Sequence, residues 1–141
     1  MSDRVLVDTN ILVYAYDADA GSKQIKAAEV LDALWVQGNG VLATQVLAEF
    51  FVTITKKVKQ RLAVQDALQI IEDYCNGWTI LNTTSDVVIK AIAGVEQYRL
   101  SFWDAMIWAA AAVNEVTVIY SEDMQDGQMI EGVRIENPLI I

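Results

Sequence analysis

Ser101-Phe-Trp-Asp-Ala-Met-Ile-Trp-Ala-Ala-Ala-Ala-Val113, followed after two intervening residues by Val116-Thr-Val-Ile-Tyr120, decides the architecture. Phe102, Trp103, Met106, Ile107 and Trp108 leave the first segment no polar face, so it reads as a helix that belongs in a core. The second is a β-branched run with the composition of a strand. Asp104 is the only charge in the helix, and a lone carboxylate there costs on the order of several kcal/mol unless a partner meets it. One partner is local: Ser101 and Asp104 have the spacing of a capping box, in which an acid also favours the helix dipole.

Working outward, the same alternation recurs. Arg4 to Val7 is a short strand ending at Asp8, with Thr9 and Asn10 as turn or cap residues before a short helix from Ile11 to Tyr16. Ser22 is the expected cap of a helix from about Lys23 to Val36, with Ile25, Ala28, Leu31, Leu34 and Trp35 at helical spacing, and Gly38-Asn-Gly40 stops it. Val41 to Ala43 is a second strand. Thr44 is the expected cap of a third helix carrying Val46, Leu47, Phe50, Phe51 and Ile54, with Glu49 on the flank of that stripe. Its end, Lys56-Lys-Val-Lys59-Gln-Arg61, is either a solvated helix terminus or a phosphate-contacting patch.

Ala63 to Tyr74 is amphipathic through Ala67, Leu68, Ile71 and Cys75, and Trp78 to Leu81 is a third strand. Thr84-Ser-Asp86 caps a helix through Val88, Ile89, Ile92 and Val95 to about Tyr98. Beyond Tyr120 lies a polar loop, Ser121 to Gly127, and Val133 to Ile135 adds a short last strand. With no repeat or linker, residues 1–141 read as a single α/β domain with a mainly parallel central sheet, covered by helices on both faces.

Composition narrows the chemistry. The chain has 141 residues, 54% of them hydrophobic, enough for a sizeable core. The opening residues lack the pattern of a signal peptide, and the apolar run from Ala105 to Val113 is too short to span a bilayer, so a cytoplasmic protein without a membrane partner is expected. Cys75 stands alone, which forbids an internal disulfide, and its helical setting points to an apolar, buried role. The absence of histidine excludes Ser-His-Asp and Cys-His nucleophile pairs and the usual zinc sites. A net charge of −9 opposes a polyanionic substrate unless bound metal neutralises some of the acids.

Topology assembles a site from carboxylates. In a parallel α/β sheet the loops leaving the strands and the N-termini of the returning helices share one edge. Asp8 leaves the first strand, Glu49 lies in the early turns of the helix after the second, Asp104 opens the core helix, and Asp123 follows the strand ending at Tyr120. Four acids together must be relieved by raised pKa values or bound cations, and all-oxygen ligation suits magnesium or manganese. Such metals in a carboxylate cluster suit phosphoryl chemistry, which needs no histidine base.

At these residues the chain resembles the PIN domain family, and within it the VapC-type toxin ribonucleases: Val-Asp8-Thr-Asn, Ala-Glu49-Phe, Trp-Asp104-Ala and Ser121-Glu-Asp123 occur in that order and spacing. The resemblance implies a PIN-like three-layer sandwich with a sheet of four to five short strands. It also implies an endoribonuclease in which Asp8, Glu49, Asp104 and Asp123 bind magnesium or manganese. Hydrolysis of an RNA phosphodiester would give 5′-phosphate and 3′-hydroxyl ends, with Thr9, Asn10 and Ser121 as supporting groups. Asp126 is either a further ligand or a supporting group, and with a nucleic-acid substrate Lys56, Lys57, Lys59 and Arg61 are the candidate RNA contacts. The family's usual partners, a cognate antitoxin and a second copy of the chain, are implied with it. Two alternatives stand beside this reading: a phosphoacceptor or phosphatase-like domain with Asp8 as nucleophile, and an inactive PIN-like interaction module whose acids only cap helices.

Overall fold

The computed structural model describes residues 3–140. Its elements follow in the order β1 (Val5–Val7), α1 (Thr9–Tyr16), α2 (Ser22–Gln37), β2 (Gly40–Ala43), α3 (Thr44–Val52), a π-helical segment (Thr53–Lys57), α4 (Val64–Gly77), β3 (Thr79–Leu81), α5 (Ser85–Tyr98), α6 (Phe102–Val113), β4 (Val118–Tyr120), β5 (Met129–Ile130) and β6 (Val133–Glu136). The strands form one sheet in the order β3-β2-β1-β4-β6-β5, parallel except for the β5-β6 pair. This is the expected α/β three-layer arrangement, with β5 as a sixth strand that two residues were too few to announce. Among the described residues no helix is long and apolar enough to cross a membrane.

The order of strands positions the site. From β1 the chain steps to β2 and β3 on one side and reaches β4 and β6 on the other, so β1 and β4 flank the topological switch point, outside whose carboxyl ends a crevice opens. β1 is wholly buried, as its unbroken Val-Leu-Val demands of a strand covered on both faces. Beyond the strand ends, the Asp8 amide donates to the Tyr120 carbonyl at 2.9 Å, carrying the β1-β4 pairing one residue into the site.

Helix α6 buries Ala105 to Ala111 without interruption. It lies against α5, whose buried face is Val87, Ala91 and Gly94. The expected α5 stripe is therefore displaced: Ile89, Ile92 and Val95 are exposed. Small residues face α6 because Trp108 needs the room, its ring lying where a Cβ on Gly94 would approach to 2.7 Å.

A similar rotation occurs in α4. Ala67 and Tyr74 are buried there, while Leu68 and Cys75 are exposed, which corrects the buried role expected of the cysteine. Tyr74 takes the inner face because Trp35, Trp78 and Tyr16 meet its ring edge-on and the Tyr16 hydroxyl lies 2.9 Å from its own. In α2, Ala27, Leu31 and Leu34 are buried, Ile25 is exposed and Trp35 is nearly half exposed. Two expected caps shift by one residue. Gly21 precedes α2, with Ser22 its first residue, and Ala43 precedes α3, which leaves the Thr44 hydroxyl to accept from the Thr83 amide. Thr84 caps α5 as expected, accepting from the Val87 amide.

The Gly94-Trp108 contact makes a test. Glycine to alanine in an exposed helix gains about 1 kcal/mol, but here the methyl meets a buried indole, and overpacking costs about 1–3 kcal/mol. Gly94→Ala is expected to lower the urea midpoint; a raised midpoint would contradict the packing described.

Candidate active site

Asp8 is 7% exposed, the N-cap of α1, and hydrogen-bonded at both oxygens. The Thr9 amide donates to Oδ1 at 2.7 Å and the buried Ser121 hydroxyl donates to Oδ2 at 2.8 Å. Ser121 Oγ also accepts from the Met124 amide at 3.2 Å, so one hydroxyl fixes both the carboxylate and the loop after β4. Burial pushes the Asp8 carboxyl up to about 6; the bonds from Ser121 and Thr9 pull it down, and the negative charges of Asp104 and Asp123 push it up further.

The other acids are held by neighbours on the same edge. Thr9 Oγ1 donates to Glu49 Oε2 at 2.8 Å, and Gln45, one turn earlier on α3, donates to Oε1 at 3.2 Å. Asn10 Nδ2 donates to Asp123 Oδ2 at 2.6 Å. At Asp104 the backbone amide donates to Ser101 Oγ at 3.2 Å, as a capping box requires. Its carboxylate makes no return bond to Ser101 among the described residues and lines the cleft instead.

Asp8, Glu49, Asp104 and Asp123 together line one cleft of about 480 Å³, with Thr9, Asn10, Gln45, Val52, Thr53, Lys57, Trp103 and Ile107 among its other walls. Of the four basic residues in the run, only Lys57 reaches it, at the end of the π-helical segment; Lys56, Lys59 and Arg61 are exposed elsewhere. Asp126 does not line it either: its Oδ1 accepts from the Asn137 amide at 2.7 Å and braces the turn. Glu122 is drawn to the side, accepting from the Tyr14 hydroxyl and pairing with Lys23 at 2.7 Å. Reading the residues one at a time missed Gln45, although its position four residues before Glu49 on a helix was an available signal.

The donors fit a hard divalent ion in kind, since every candidate ligand is oxygen. Among the described residues no three acidic side chains lie close enough to ligate one ion directly.

Residues 5–125 match the PIN domain model, and the chain belongs to the PIN domain family. Solved structures with the same fold include a toxin-antitoxin complex from Klebsiella pneumoniae, with a TM-score of 0.69 and 22% identity, covering 95% of this chain and 97% of that one. FitAB bound to a DNA fragment aligns with a TM-score of 0.73 at 17% identity, covering 97% and 96%. The sarcin-ricin loop cleaving toxin VapC20 of Mycobacterium tuberculosis aligns with a TM-score of 0.65 at 16% identity, covering 84% and 89%. No curated protein matches the chain in sequence.

Burial of Asp8 has a measurable consequence. Because its folded-state value of about 6 lies above the ordinary 3.8, the folded chain holds a proton there more tightly than the unfolded chain. This contribution is fully present below about pH 4 and is lost as pH rises through about 6, an amount on the order of 3 kcal/mol. Asp8→Asn removes the charge, keeps the Oδ1 acceptor for the Thr9 amide and puts an amide donor where Oδ2 accepts from Ser121, so that contact must reverse, with Ser121 Oγ accepting. It is expected to raise the thermal midpoint at pH 7.5 and to flatten the decline between pH 4 and 7; a midpoint below wild type at pH 7.5 would refute the charged, desolvated Asp8.

Proposed function

We propose that the chain, residues 1–141, acts as one PIN-like domain that is a magnesium- or manganese-dependent endoribonuclease of the VapC type, the toxin of a toxin-antitoxin pair. The observation that carries this is the convergence of Asp8, Glu49, Asp104 and Asp123 on one cleft at the switch point of the sheet. A divalent ion bound among them supplies a Lewis acid that acidifies water and offsets phosphate charge. The protein's part is placement. Ser121 and the Thr9 amide hold Asp8, Thr9 Oγ1 and Gln45 hold Glu49, and Asn10 holds Asp123. Lys57 is suited to meet a phosphate oxygen at the cleft wall.

The toxin assignment is supported by structural relatives that are themselves toxins or toxin-antitoxin complexes. A cognate antitoxin and a second copy of the chain are the partners we propose. Exposed Ile25 and Val36 on α2, Val64 and Leu68 on α4, and Ile89 and Ile92 on α5 offer apolar surface for them. Against a phosphoacceptor role, both oxygens of Asp8 already accept hydrogen bonds and the group is buried.

Purified protein is expected to cut RNA with magnesium or manganese and not with EDTA, and Asp104→Asn should lose at least about a hundredfold in rate while remaining folded. Metal-independent cleavage, or full activity in Asp104→Asn, would defeat the proposal. Lys57→Ala is expected to weaken RNA binding and reduce its salt dependence, whereas Lys59→Ala is expected to do neither.

A further inference from the structure

Trp103 immediately precedes Asp104 and is 60% exposed, although the seven residues from Ala105 that follow Asp104 are all buried. Its indole belongs to the wall of the carboxylate cleft. Phe102, itself over a third exposed, meets it edge-on, with ring centroids 5.1 Å apart at 70°. A large aromatic left open to water forgoes the stabilisation that burial would bring, and nothing in the fold requires it there. Across the cleft's lining, Val52 and Lys57 come from α3 and the π-helical segment, so an apolar surface and one cation share the cavity with the acids.

We propose that Trp103 is a stacking platform for an unpaired RNA base next to the scissile phosphate, an inference that rests on the ribonuclease reading. The electrostatics favour such a contact. The chain carries a net charge of −9 and, among the described residues, its cleft has a single basic side chain, so ionic attraction to a polyanion is weak here. Stacking on an aromatic face supplies affinity that does not depend on charge and tolerates any base. It also selects strand state, because a base within a duplex has no free face.

Binding is measured in the Asp8→Asn background, with magnesium, by anisotropy of a short labelled single-stranded RNA and of the same strand annealed to its complement. Trp103→Ala is expected to weaken single-strand binding about tenfold, by the same factor at low and high salt, with no change on the duplex. Trp103→Phe, which keeps an aromatic face, should recover most of the loss. Unchanged single-strand affinity in Trp103→Ala, or an equal loss on duplex, overturns the platform while leaving the ribonuclease reading intact. Absence of both RNA binding and RNA cleavage by the wild-type protein with magnesium overturns both. A fall in solution mass of Trp103→Ala with RNA affinity retained would assign the indole to a contact between copies and overturn the platform as well.

Discussion

A carboxylate buried at the end of the first strand constrains everything around it. Asp8 cannot remain charged at 7% exposure without donors, and the fold brings two from different parts of the chain: the first amide of α1 and the hydroxyl of Ser121, 113 residues away. Supplying the second requires β4 beside β1, and that pairing places α6, the helix before β4, with Asp104 at its start on the same edge. The sheet order, the buried serine and the acidic cleft are thus one arrangement. Burial still dominates, since the Asp8 carboxyl stays raised despite both bonds, and this leaves a poised negative charge that a cation would relieve.

Around that centre each acid is restrained by a side chain with another duty. Thr9 gives its amide to Asp8 and its hydroxyl to Glu49; Ser121 gives its proton to Asp8 and accepts from Met124. The loop that carries Asp123 is tied at three further points: Asn10, the Glu122 bonds to Tyr14 and Lys23, and Asp126 to Asn137. Restraint of this kind fixes the direction of each carboxylate, as the proposed cation site would require. The π-helical segment adds Thr53 and Lys57 to the wall by extending α3 past the point where a strand-side helix would end. Wide helical turns of this sort recur at functional sites.

The layered α/β plan was legible in sequence because short apolar runs such as Val5–Val7 and Val118–Tyr120 alternate with longer segments of helical spacing, two of them opened by side-chain caps at Thr84 and Ser101. The convergence of the four acids was legible because it follows from topology alone. Which side of each helix faces inward was less so. In α4 and α5 two apolar stripes compete, and the choice depends on distant rings: Trp35 and Trp78 select Tyr74, and Trp108 selects Gly94. No periodicity within α4 or α5 encodes those partners. The same holds for the basic run, where helix geometry at one residue decides that Lys57, and none of its neighbours, reaches the cleft.

The central claim, that these carboxylates form a divalent-cation site built on Asp8, is tested most directly by calorimetric titration of manganese into the protein in buffers of different ionisation enthalpy. The account requires binding that releases protons near pH 6, where Asp8 is part protonated, and almost none at pH 8. No binding at either pH, or the same proton release at both, would contradict it.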